Sequence, residues 1–259
     1  MKKDNRSPKD IIQVFGTMLE ERLIPIGFKF FKSTKTLKLT LKGYDLSFSL
    51  LSNYNNRQAE WIYLNSCCFN VKHKDFSKWH SRYLSLDNFS VYNECFGHHW
   101  SLLYEEEQEK ALKEIMDIID KAVLPIITDL NENIESFYYK IASSYLKDTI
   151  DDKFISTMAF LLYNERKEFV QNCLLIILKN LENEEIMMLN TAYDLIKQSF
   201  NISTYNCKRM IVKEGFGTIN YFYPLAKLLL LYSIEIEHIT NGSTFPKFGW
   251  PIDIITDNY

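Results

Sequence analysis

The hydrophobic pattern changes period twice along the chain. Ile11, Ile12, Phe15, Met18, Leu19 and Leu23 recur at helical spacing, so one face of a helix spanning about 8–24 is predicted to be buried. Ser7 is placed as its N-cap and Pro8 at the first helical position, where the missing N–H costs nothing. Pro25 and Gly27 stop it. The period then falls to two: Leu37, Leu39 and Leu41 alternate with Thr36, Lys38, Thr40 and Lys42. A two-residue turn at Lys42-Gly43 pairs Leu41 with Tyr44, Leu39 with Leu46 and Leu37 with Phe48, all on one face. A one-residue slip exposes the whole set, so hairpin and core face support each other.

A polar loop, 52–58, precedes a third strand whose apolar set is read as Trp61, Tyr63, Cys67, Phe69 and Val71. Residues 74–84 read as a short helix carrying Phe76, Trp79 and Tyr83. His98 to Tyr104 reads as a fourth strand with Trp100, Leu102 and Tyr104 on one side, while 85–97 shows no clear period. Glu105-Glu106-Glu107 places negative charge where a helix N-terminus favours it. Leu112, Ile115, Met116, Ile119, Val123 and Ile126 supply that helix's buried stripe, and Pro125 is expected to end or kink it.

From about 130 onward the period stays helical, through Phe137, Tyr138 and Ile141, then Phe154, Met158 and Leu161, then Phe169, Cys173, Leu174, Ile177, Leu178 and Leu181. A further helix runs through Ile186, Leu189, Tyr193, Ile196 and Phe200, with Asn183 as cap and Glu184 and Glu185 in its acidic first turn. The segment 241–251 has no regular period. The expected fold class is α+β: an N-terminal antiparallel sheet flanked by helices, followed by an all-helical second half. Chain order suggests a sheet domain over 1–130 and a helical domain with an irregular C-terminal tail over 131–259.

A net charge of −3 offers no global attraction to phosphate, so nucleic acid is not the expected partner. The basic stretch Lys29, Lys32, Lys35, Lys38 and Lys42, interleaved with Phe28, Phe30 and Phe31, is read chiefly as the exposed face of a sheet. Five cysteines, Cys67, Cys68, Cys95, Cys173 and Cys207, form no C-x-x-C pair and are read as reduced and mostly buried. The N-terminus lacks the apolar run of a secretory leader. Leu225 to Ile236, the most apolar stretch, is interrupted by Lys227 and Glu235 and is too short for a bilayer. These features suggest a cytoplasmic protein with no membrane span.

Cys95, His98, His99 and nearby His80 or His73 are the one grouping that resembles metal ligands. Its spacing is poor, because adjacent His98 and His99 on a regular strand point to opposite faces. There is no G-x-S-x-G elbow and no phosphate-binding loop, and Gly215-Phe216-Gly217 is too short for a dinucleotide site. The acidic runs are read as helix starts and solvated charge. No catalytic, cofactor or metal residue is assigned. The aromatic content, 16 Tyr and 18 Phe with four Trp, is high; most of these rings are read as core, and those left at the surface as anchors for a partner. Trp79 and Tyr83, together with His98 and His99, are the candidate partner surface.

Leu23-Ile24-Pro25-Ile26-Gly27-Phe28-Lys29-Phe30-Phe31-Lys32, after an amphipathic helix and before a hairpin, resembles the opening of a bacterial domain family of unknown function. The Trp100 strand, the acidic helix and Val123-Leu124-Pro125 are similar to that family's closing pattern, so the resemblance covers about residues 8–130. The helical second half lies outside the pattern. Some relatives are similar to proteins encoded beside polymorphic toxins, which implies an immunity role, and no catalytic residues carry over. The expected function is therefore a nonenzymatic protein-binding module, a bacterial immunity protein inhibiting a toxin by steric occlusion. The alternative is a small-ligand or nucleotide-binding enzyme with a cleft between sheet and helices.

Overall fold

The computed structural model describes residues 2–84, 90–144, 152–170, 174, 181–198, 224–226 and 228. The fold is α+β. Spatial contacts divide the chain into two units, one from Met1–Asp75 with Ser90–Phe137, the other from Phe76–Phe89 with Tyr138–Tyr259.

The first unit begins with α1 (Pro8–Leu23), where Ser7 Oγ accepts the Asp10 N–H at 3.2 Å and Gly27 ends the following turn at φ 99°. Five strands follow: β1 (Lys29–Phe31), β2 (Thr36–Leu41), β3 (Tyr44–Ser52), β4 (Tyr63–His73) and β5 (Tyr92–Ser101), an antiparallel meander in that spatial order. The expected hairpin is present, with Leu37 opposite Phe48, Leu39 opposite Leu46 and Leu41 opposite Tyr44. Lys42 (φ 48°) and Gly43 (φ 86°) both take positive φ, as the tightest hairpin turn demands. Alternation then sends Leu37, Leu46, Phe48, Phe69 and Val71 into the core, with Phe15 and Leu19 of α1 and Leu112 and Ile115 of α3 (Glu105–Ile118). At Gly16 a Cβ would lie 2.1 Å from the Phe30 ring, so a larger residue there requires that ring to move. Glu20 accepts the Phe30 N–H at 2.9 Å, which occupies a donor on the sheet's edge strand.

Three expectations are corrected. First, Trp61 is not in the core set: it is 39% exposed, while Ile62 and Leu64 are fully buried. The register shifts near Asn65, so the inward parity of β4 changes from 62 and 64 to 67, 69 and 71. Second, β5 starts at Tyr92 rather than His98 and stops at Ser101. Third, Cys68 and Cys95 are not reduced: they sit directly opposite each other on β4 and β5 and form a disulfide. Cys67 faces the other way and is buried, which pushes its thiol up to about 12 because the interior disfavours thiolate. At Pro125 the helix widens rather than ending. A π turn spans Ile119–Val123, the Leu124 N–H bonds Ile119 O five residues back, and α4 (Leu124–Glu132) carries the proline in its first turn.

The segment before α1 is pinned by one buried carboxylate. Asp4, 8% exposed, accepts hydrogen bonds from the Arg6 guanidinium and from Gln108 Nε2 at 3.1 Å, and its own N–H bonds Leu103 O at 2.9 Å. The Arg6 bond holds the Asp4 carboxyl at about 2, below the usual range. A folded-state pKa below the unfolded one adds stability above about pH 4 that is lost as pH falls through about 2. The expected loss is as much as about 2 kcal/mol. Denaturant unfolding at pH 6 and pH 2 checks it: the loss should be smaller by this amount in Asp4→Asn, and an equal loss in both proteins refutes the assignment.

In the second unit, α2 (Lys74–Leu84) contributes Phe76 and His80, although its chain position lies between two sheet strands. Phe76 meets Phe160 and Tyr163 of α6 (Asp152–Tyr163) at ring-centroid distances of 5.2 and 5.4 Å. Every residue of α6 from Phe154 to Leu162 is buried, the signature of a central helix. Tyr138 of α5 (Ile134–Ser143) packs on Phe160 at 5.9 Å, and His80 Nε2 lies 2.8 Å from Ser156 Oγ. A further helix, Asn183–Gln198, buries Leu189, Ala192 and Tyr193, and Glu185 accepts the Glu182 N–H at 2.9 Å, reaching back across the first turn. The expectations for Cys173, Ile177, Leu178 and the segment 241–251 lie outside the described residues.

Candidate functional site

The β3–β4 connection is a polar loop whose asparagines make it rigid. Asn53 Oδ1 accepts the Asn55 N–H at 2.8 Å, an Asx turn, and Asn53 Nδ2 donates to Asn65 Oδ1 at 3.1 Å. Asn56 pairs twice with the Tyr63 backbone, accepting its N–H at 2.8 Å and donating to its carbonyl at 3.0 Å. Arg57 and Trp61 exchange backbone hydrogen bonds, Trp61 Nε1 donates to Asn55 O at 2.8 Å, and the Arg57 guanidinium lies 5.0 Å above the Trp61 ring. Gln58 ties the loop to Asn5 O at 2.8 Å. Tyr54, between Asn53 and Asn55 in the chain, is 91% exposed, and Leu51 at the end of β3 is also exposed. An ordered loop that presents Tyr, Trp and Arg to solvent has the composition of an interface hot spot and little ordering entropy left to lose.

At the same end of the sheet β5 carries a bulge. Leu64 pairs with Trp100 and Ser66 with Gly97, so His98 and His99 together span the step that Asn65 alone spans on β4. Both histidines are exposed. His98 Nε2 lies 3.5 Å from Glu114 Oε2, which also accepts the Trp100 indole N–H at 3.0 Å. Glu107 accepts the Tyr104 N–H at 3.2 Å and the Ser101 hydroxyl, closing the start of α3. Together these side chains line a hollow of about 170 Å³, below the usual range for a small-molecule site.

Of the four residues expected to form a partner surface, the structure brings His98 and His99 together at the bulge. Trp79 belongs to the second unit, half-buried and stacked on Phe76 at 5.8 Å and 24°, and it also meets Tyr163. The Tyr83 side chain lies outside the described residues. The resemblance to metal ligands does not survive in space: Cys95 is disulfide-bonded, His80 is buried against Ser156, and His73 packs edge-on against Tyr44 at 4.8 Å. Burial lowers the His73 pKa, since the interior disfavours imidazolium. Among the described residues no group of three His, Cys, Asp or Glu is placed to hold a metal ion. Sequence reasoning passed over Tyr54. The signal for it was an aromatic flanked by turn-forming asparagines, which an ordered loop keeps exposed.

No helix among the described residues is long and apolar enough to cross a membrane. Comparison of the chain with protein-family models, curated proteins and solved structures finds no match.

Proposed function

We propose that the protein is a nonenzymatic protein-binding module that engages its partner through the β3–β4 loop and the adjoining β5 bulge. One observation carries the reading: Tyr54 is almost fully exposed on a loop held by a dense hydrogen-bond network. A solvent-facing tyrosine on a loop that also carries the Arg57–Trp61 pair is costly for solubility and useful for recognition. His98 and His99, both exposed at the β5 bulge, extend this surface with two imidazoles able to donate and accept hydrogen bonds. Occlusion of a toxin is the concrete form implied by the resemblance over residues 8–130, and such a protein acts by covering the partner's active or substrate surface.

The test is affinity purification from the source cells with the wild-type chain and with Tyr54→Ala, followed by titration of the recovered partner. A single stoichiometric partner is expected, with roughly thirtyfold weaker binding to Tyr54→Ala at unchanged circular dichroism, the scale of one hot-spot residue. Loss of a recovered toxin's activity at equimolar protein supports occlusion. Recovery of no protein, or equal affinity for both chains, overturns the reading.

A further inference from the structure

The solvent face of the sheet holds a feature that a partner at the loop does not use. Alternation turns Lys29, Lys38, Ser47 and Lys72 to this face, and the register sets Lys29 directly opposite Lys38 and Lys38 directly opposite Ser47. With Phe31 and Thr40 they line a groove of about 580 Å³, within the range of ligand sites. Like charges directly opposite on neighbouring strands oppose folding. Among the described residues, none of the three lysines is in an ion pair. The one carboxylate of the groove, Asp45, is taken by Lys74 at 3.3 Å and by the Thr40 hydroxyl at 2.8 Å. Lys38 instead rests 4.9 Å above the Phe31 ring, which is 44% exposed. Edge protection accounts for a lysine on β1, but Lys38 and Lys72 lie on the interior strands β2 and β4.

We propose that this groove binds a phosphorylated ligand of nucleotide size, its phosphates held by Lys29, Lys38 and Lys72 and its planar ring against Phe31. Three compact ammonium groups around one groove match a di- or trianion, and lysine holds phosphate as a point charge. The Ser47 hydroxyl adds a donor between them. One aromatic ring accommodates one base, whereas sheet surfaces that read a strand use two or three. This site lies outside the proposed partner surface and stands or falls separately from it.

Calorimetric titration of the full chain with ADP, adenosine and hexathymidylate tests the proposal. ADP is expected to bind with one-to-one stoichiometry, weakening as salt rises from about 50 to about 200 mM, while adenosine binds far less tightly. Lys38→Gln is expected to weaken ADP roughly tenfold, as loss of a charged contact does. Lys29→Gln, on the edge strand, gives the same reading should Lys38→Gln fail to fold. Absence of ADP binding, equal binding of adenosine, or affinity unchanged in both variants overturns the proposal. Tighter binding of hexathymidylate than of ADP overturns it in favour of single-stranded nucleic acid.

Discussion

Phe76→Ala is expected to destabilise the second unit by about 3–5 kcal/mol while the sheet of the first unit keeps its structure. The phenylalanine is fully buried and sits among the rings of Trp79, Phe160 and Tyr163 and the imidazole of His80, so truncation leaves a cavity that four rings cannot easily close. The chain position of α2, between β4 and β5, points to the opposite outcome, because neighbours in sequence usually pack together. Hydrogen exchange followed by mass spectrometry separates the two. Peptides from 152–163 should lose protection at low denaturant, and peptides from 44–52 and 63–73 should retain it. Equal loss in both sets would assign α2 to the sheet unit and refute the division described above.

The parts of the fold that were legible are those where two local signals agree. At the β2–β3 hairpin, alternation and a two-residue turn specify the same register, and each excludes the slip that the other alone leaves open. At α1, Ser7-Pro8 marks the start and Pro25 with Gly27 the stop, so capping chemistry bounds what periodicity predicts. Periodicity fails where a bulge changes parity. Trp61 and Tyr63 share the alternation of Cys67, Phe69 and Val71 on paper, but the extra residue at Asn65 puts Ile62 and Leu64 inside instead. The beginning of β5 was hidden because Glu94, opposite Phe69, interrupts its apolar set, and the Tyr92 hydroxyl donates to that carboxylate at 2.6 Å.

The candidate site was less legible than the fold for the same reason. In the sequence His98 and His99 stand out only as part of a poorly spaced Cys/His grouping and of the candidate partner surface, and the bulge that displays them depends on pairing with β4 that no local pattern encodes. The lysines tell a similar story. Lys29, Lys32, Lys35, Lys38 and Lys42 form a run in sequence, but register selects Lys29 and Lys38 from it and adds Lys72 from a strand more than thirty residues away.

Reduction of the Cys68–Cys95 disulfide is expected to lower the stability of the first unit by about 3 kcal/mol. The bond joins directly opposed residues of β4 and β5 across a sequence separation of 27, and cross-linking a loop of that length removes this much conformational freedom from the unfolded chain. An odd number of scattered cysteines with no C-x-x-C pair points to free thiols. What makes the pair is the register, which puts Cys68 directly opposite Cys95 on the face of β4 away from Cys67, while Cys67, one position earlier, turns into the core. Chemical labelling distinguishes the three sulfurs. In the native oxidised protein none of them should react with iodoacetamide; after mild reduction Cys95, which is exposed, should react, and Cys67 should stay protected until unfolding, its thiol held protonated by burial. Denaturant midpoints with and without reductant give the stability difference. A Cys68→Ser/Cys95→Ser chain should match the reduced protein and no longer respond to reductant. Labelling of Cys95 before reduction, or a double variant as stable as the oxidised chain, would remove the disulfide from the account of this sheet.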